Sequence, residues 1–135
     1  MNTYISSLSM NGLFFEEISF KRMGSKQNST EFACTLEVTI GSNTERDYYK
    51  VNLKMIGDKP KEYNLVVSLT GFFSFSPNDE TTEEFQEDLI SKNAVAIMMP
   101  YLRSQISLIT AQPEVDCVVL PPFNINNMID DKQRQ

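Results

Sequence analysis

The run Tyr63-Asn64-Leu65-Val66-Val67-Ser68-Leu69-Thr70-Gly71-Phe72-Phe73-Ser74-Phe75 alternates over most of its length. Tyr63, Leu65, Val67, Leu69, Phe73 and Phe75 fall on one side of an extended backbone, against Glu62, Asn64, Ser68, Thr70 and Ser74. A period of two with β-branched and aromatic residues is the pattern of a strand with one buried face. Two similar runs lie upstream. Tyr49, Val51, Leu53 and Met55 alternate with Lys50, Asn52 and Lys54, and Phe32, Cys34, Leu36, Val38 and Ile40 alternate with Glu31, Ala33, Thr35, Glu37 and Thr39. Gly41-Ser42-Asn43-Thr44 and Gly57-Asp58-Lys59-Pro60 carry turn chemistry between them. Leu13 to Met23, with Phe14, Phe15, Ile18 and Phe20, reads as a further strand. Four strands joined by short turns predict an antiparallel meander, one face for water and one for a core.

Downstream the period changes. Ser76-Pro77-Asn78 ends the sheet, and Thr81-Thr82-Glu83-Glu84 has the spacing of a capping box for a short helix near Glu83 to Leu89. A long helix is predicted from about Asn93 to Ala111, roughly 28 Å at the usual rise. Val95, Met98, Met99, Leu102, Ile106 and Ile109 cluster on one side of it, and Ala94, Ile97, Tyr101 and Leu108 lie about a third of a turn away. The apolar arc of about 200° is twice what a helix lying on one sheet needs, so a second protein surface is expected on its other side. Self-association through Ile97, Met98, Met99, Tyr101, Leu102, Gln105 and Leu108 is the economical solution. Pro100 falls inside this helix, where it removes one ladder hydrogen bond and favours a kink. Beyond it come a short apolar run, Pro121-Pro122-Phe123 and a weak polar helix. The expected class is α+β, a single domain over residues 1–135.

Composition removes most chemistry. The chain of 135 residues is long enough for a core without staples. With no His, triads, His general bases and most zinc or iron sites are out of reach. The five glycines are isolated, which leaves no phosphate-cradling loop, and no GxSxG elbow occurs. Cys34 and Cys117 stand in apolar alternating runs with no CxxC, the pattern of buried thiols in a reducing compartment. We expect no enzyme activity, no metal and no cofactor. A net charge of −6 argues against general binding to nucleic acid or anionic membranes. That charge is local: Asp79, Glu80, Glu83, Glu84, Glu87 and Asp88 account for all of it, as a docking handle for a basic partner or as solvated surface. Met1 to Met10 has no signal-peptide character, and no apolar run approaches the roughly eighteen residues of a membrane helix. The expectation is a cytoplasmic protein.

Four stretches, in order, resemble the SecB family of bacterial protein-export chaperones. Phe14-Phe15-Glu16-Glu17-Ile18-Ser19-Phe20 looks like that family's first strand, and Leu69-Thr70-Gly71-Phe72-Phe73-Ser74-Phe75 like its Gly-Ile-Phe segment. Ala96-Ile97-Met98-Met99-Pro100-Tyr101-Leu102-Arg103-Ser104-Gln105-Ile106 is similar to its Phe-Pro-Tyr-Ala-Arg helix motif. Leu120-Pro121-Pro122-Phe123-Asn124 is similar to its Leu-Ala-Pro-Val-Asn-Phe stretch. The resemblance covers nearly the whole chain. It implies a sheet crossed by a long helix, copies pairing into dimers, and dimers packing through the helices into a tetramer, a dimer of dimers. It further implies a nucleotide-independent holdase for non-native or precursor polypeptides. Met23, Tyr63, Phe72, Phe73, Phe75, Met128 and Ile129 are then expected to line its apolar groove. The family presents sheet carboxylates to the export motor SecA. Glu17 keeps one such acid, but Lys21, Asn64 and Val66 depart from the pattern. These departures favour a dedicated holdase of the toxin–antitoxin type over export; an interaction module that keeps the fold without client binding is the alternative, marked by a closed groove.

Overall fold

The computed structural model describes residues 8–28, 30–45, 47–75 and 83–121. Four strands, β1 (Leu8–Arg22), β2 (Ala33–Ser42), β3 (Tyr48–Lys59) and β4 (Tyr63–Phe75), form one antiparallel sheet in the order β1-β4-β3-β2. A helical stretch follows: α1 (Glu83–Leu89), a π turn (Ile90–Ala94) and α2 (Val95–Thr110).

The meander holds for β2, β3 and β4, while β1 lies beside β4 instead of β2. The physical reason is burial. Every odd-numbered residue of β4 from Tyr63 to Phe75 is buried, so β4 is a central strand and needs a neighbour on each side. The connection over residues 23–32 is long enough to cross the end of the sheet. Along β1, register shifts at Asn11 and Glu16 re-phase the alternation, so that Leu13 and Phe15 point to the core before the second bulge and Ile18 and Phe20 point there after it. This is why the aromatic and aliphatic residues of this strand do not follow a simple period of two.

The turn expected at Gly57 to Pro60 lies later. β3 runs through Lys59, and Pro60, Lys61 and Glu62 make the corner, closed by the Glu62 amide donating to Lys59 O at 3.0 Å. Pro60 supplies its fixed φ, and Lys61 takes a left-handed φ of 68°, the combination of a type II turn. Gly57 stays in the strand because a Cβ there would lie 2.6 Å from the Phe32 ring.

α2 packs on β4 and β3 through Val95, Met98, Met99, Leu102, Ile106 and Thr110. Gly71 is the closest approach, since a Cβ there would stand 3.0 Å from Met98 Sδ. The short and the long helix expected from the sequence are continuous through the π turn. Its extra residue brings Ile90 and Ala94 onto the buried side ahead of Val95. Pro100 is tolerated because it and Ala96, whose carbonyl it leaves free, are both exposed. The proposed capping residue Thr81, the acids Asp79 and Glu80, and Met128 and Ile129 lie outside the described residues.

Candidate functional site

Only the middle of the sheet is covered by the helix. The edge strands keep apolar residues on the same face that α2 does not reach: Met10 and Ile18 of β1 are 45 % and 48 % exposed, and Ile40 of β2 is 36 % exposed. Cys34, Leu36 and Val38 beside Ile40 are half-buried. Burial pushes the Cys34 thiol above its ordinary pKa, which keeps it protonated and unreactive. These margins are uncovered core, not scattered surface residues.

The outward side of α2 carries a second apolar stripe. Ile97, Tyr101 and Leu108 are exposed, with Ser104 in register between them and Gln105 half-buried beside them. Met98, Met99 and Leu102, expected at the same interface, are buried within the chain itself. The two-sided apolar helix is therefore real, but its sides divide differently: one packs inward, and a stripe with spacing i, i+4, i+7, i+11 looks outward.

Next to this stripe the chain turns at residues 112–115, with Glu114 at a left-handed φ of 61°, and residues 116–121 run back antiparallel to the helix. Arg103 donates from Nε and Nη2 to Leu120 O at 3.3 and 3.1 Å, and Ser107 Oγ donates to Val118 O at 2.9 Å. Thr110 Oγ1 accepts the Val118 amide at 2.8 Å and donates to Ile106 O. Between helix and segment opens a cleft of about 580 Å³, bordered by Pro100, Ser104, Leu108, Val119 and Leu120.

The root of the segment is tied by charge. Asp116 reaches Lys26 at 2.9 Å and Lys59 at 3.7 Å, and Lys59 also reaches Glu62 at 3.0 Å. Arg22 donates to Glu114 O at 2.9 Å. Glu62 is fully buried and accepts the Gln27 amide through Oε2, while its Oε1 has no partner among the described residues. Burial alone would raise the Glu62 carboxyl, but the hydrogen bonds from Lys59 and Gln27 and the charges of Lys59 and Arg22 outweigh it and hold it low. The Lys26 hydrogen bond and charge likewise hold Asp116 low, and Asp116 holds the Lys26 ammonium high. Tyr63, beside this cluster, is pushed up to about 12 by burial and by the charges of Glu62 and Asp116.

The opposite face of the sheet is also patterned. Phe72 stacks on Phe14 with centroids 6.0 Å apart and meets Tyr48 at 6.1 Å. Gly12 leaves room for the Phe72 ring. Beyond these aromatics Asn52 donates to Ser68 and Thr70, and Thr70 donates to Glu16. Glu17, the expected docking acid, is exposed here beside Lys50 and Lys54.

The residues expected to line one groove are therefore dispersed. Tyr63, Phe73 and Phe75 belong to the core, Tyr63 stacked on Phe20 at 4.7 Å, because they occupy the inward positions of the most buried strand. Phe72 is half-buried on the opposite face, and Met23 is exposed past the end of β1, its amide bonded to Glu62 O. Arg103, Ser107 and Thr110, absent from the residues expected at the site, have an i, i+4, i+7 spacing that marks a polar stripe inside an apolar helix. Among the described residues no group of three His, Cys, Asp or Glu is placed to hold a metal, and no helix is long and apolar enough to cross a membrane.

No family model matches the chain. It is 29 % identical over 104 residues to the uncharacterized protein MJ0357 of Methanocaldococcus jannaschii; the match takes in 77 % of this chain and 57 % of that protein's length. In three dimensions it is similar to the SecB-like chaperone Rv1957 of Mycobacterium tuberculosis, solved in complex with a ChAD peptide from the HigA1 antitoxin Rv1956. That likeness has a TM-score of 0.75 at 9 % identity over 89 % of this chain and 93 % of the other. The fold is thus SecB-like.

Proposed function

We propose that this protein is an ATP-independent chaperone, a holdase that keeps extended, non-native polypeptide segments from aggregating. The observation that carries this is apolar surface left uncovered in continuity with the core. The sheet margins at Met10, Ile18 and Ile40 lie on the helix-bearing side. A client side chain that becomes fully buried against such surface contributes about 1.5–3 kcal/mol without requiring a particular sequence. The SecB-like fold supports this reading, because the mycobacterial protein of that fold holds an antitoxin peptide. No step calls for a nucleotide, a metal or covalent chemistry, and the working compartment is the cytoplasm.

Within this class a chaperone dedicated to one partner is favoured over a carrier for export. Glu17 shares its sheet face with Glu16 and Glu37, but Lys21, Lys50 and Lys54 are interspersed among these acids, a poor surface for a motor that reads clustered carboxylates. Copies associate through the outward helix stripe, as a dimer or a dimer of dimers. The test is equilibrium binding of a fluorescent, permanently unfolded polypeptide in the absence of nucleotide. Saturable binding is expected, weakened by Ile18→Asp and Ile40→Asp. No binding, or binding indifferent to both substitutions, overturns the assignment.

A further inference from the structure

The hydrogen bonds that hold the end of segment 111–121 to α2 join helix side chains to strap backbone. Towards residues 117–121, Arg103, Ser107 and Thr110 bond main-chain atoms of Val118 and Leu120, and the Cys117 thiol adds a side-chain hydrogen bond to Ser107 O at 3.5 Å. Val118 and Leu120 alternate along an extended chain and so present their groups to the same side. The side chain taken in most deeply is Leu120, which is buried, whereas Val119 is 77 % exposed. Apart from the Cys117 thiol and the half-buried Val118, the pattern asks of residues 117–121 one apolar residue at the Leu120 position. The root, fixed by Asp116 and by Glu114 O, is attached separately to Lys26, Lys59 and Arg22, so residues 117–121 are able to lift while the root stays.

We propose that the Arg103–Ser107–Thr110 ladder is a docking site for extended polypeptide segments of other chains, and that residues 117–121 are its resident occupant, displaced when such a segment binds. The occupant class follows from the fit already present: an extended backbone, small or β-branched outward residues and one inward apolar anchor. The adjoining cleft at Ser107, Ala111 and Leu120 receives the incoming side chains. The inference rests on the chaperone reading and adds where on the helix a client backbone is read and what competes with it.

The test uses the full chain and the same labelled unfolded polypeptide. Leu120→Ala removes the anchor of the resident segment and leaves the ladder intact, so affinity for the probe should rise about tenfold, since less of the protein holds its site occupied. Adding Arg103→Gln and Ser107→Ala to that variant should return affinity to the parent level or below it. Val118→Pro removes the amide given to Thr110 without opening the core and should act like Leu120→Ala if the latter proves unstable. A synthetic peptide of residues 115–121 should compete with the probe. Unchanged or weaker probe binding by folded Leu120→Ala and Val118→Pro, with the parent binding normally, overturns the ladder proposal alone. Absence of binding by the parent and by both loosened variants removes the chaperone reading with it.

Discussion

Gly71 has no room for a side chain: a Cβ would lie 2.8 Å from Phe73 Cε2 and 3.0 Å from Met98 Sδ. Its backbone is ordinary, so the need for glycine comes from helix packing and not from a turn. Gly71→Ala should cost about 1–3 kcal/mol in urea unfolding by pushing Met98 off the sheet. Gly41→Ala, where nothing stands within 4 Å, should stay within about 0.5 kcal/mol. Glu62 is the other residue on which much depends. Its carboxyl and that of Asp116 titrate below their ordinary values of 4.5 and 3.8, and Lys26 titrates above 10.5. A depressed carboxylate stabilises the fold above its unfolded pKa and loses that contribution as pH falls through the folded one. A raised lysine contributes below its unfolded pKa and loses that as pH rises through the folded one. The cluster therefore contributes fully between the ordinary carboxylate range and the ordinary lysine range. Glu62→Gln should lower the urea midpoint at pH 7, and the gap to the parent should narrow as pH falls below the ordinary carboxylate range and the parent's own Glu62 becomes protonated. A constant gap would mean that the charge of Glu62 is not what stabilises the turn.

The strands were legible because their periods are clean; Tyr63 to Phe75 matches its structural bounds end to end. β1 is harder to read, since bulges at Asn11 and Glu16 shift the phase at positions that local composition does not mark. The π turn at Ile90–Ala94 is equally silent, for one extra residue in a helix leaves no signature in spacing. Helix amphipathicity pointed to two apolar sides but not to which residues take which side. Direction was decided by the seat that Gly71 offers to Met98. Met98→Ala should cost about 2–5 kcal/mol as a core truncation. Leu108→Asp, at a residue 68 % exposed, should leave stability within about 0.5 kcal/mol yet lower the native mass measured by sedimentation. An unchanged mass would place any self-association elsewhere.

At the scale of the molecule, an antiparallel sheet with a long helix across it follows from the alternation and its change of period. The order β1-β4-β3-β2 does not follow from alternation alone, since it depends on which strand is buried on both sides. The core positions of Tyr63, Phe73 and Phe75 are hard to read for a related reason: an inward strand position looks the same in sequence whether it faces a core or a client. What distinguishes the two is how far the helix reaches, and it stops short of Met10, Ile18 and Ile40. The most direct measurement is light scattering from a refolding, aggregation-prone protein, with and without this one, in nucleotide-free buffer. The account predicts that scattering is suppressed at near-stoichiometric amounts and returns with Ile18→Asp and Ile40→Asp combined. Scattering unchanged by the parent protein across several unrelated clients, and across candidate dedicated partners, would contradict it.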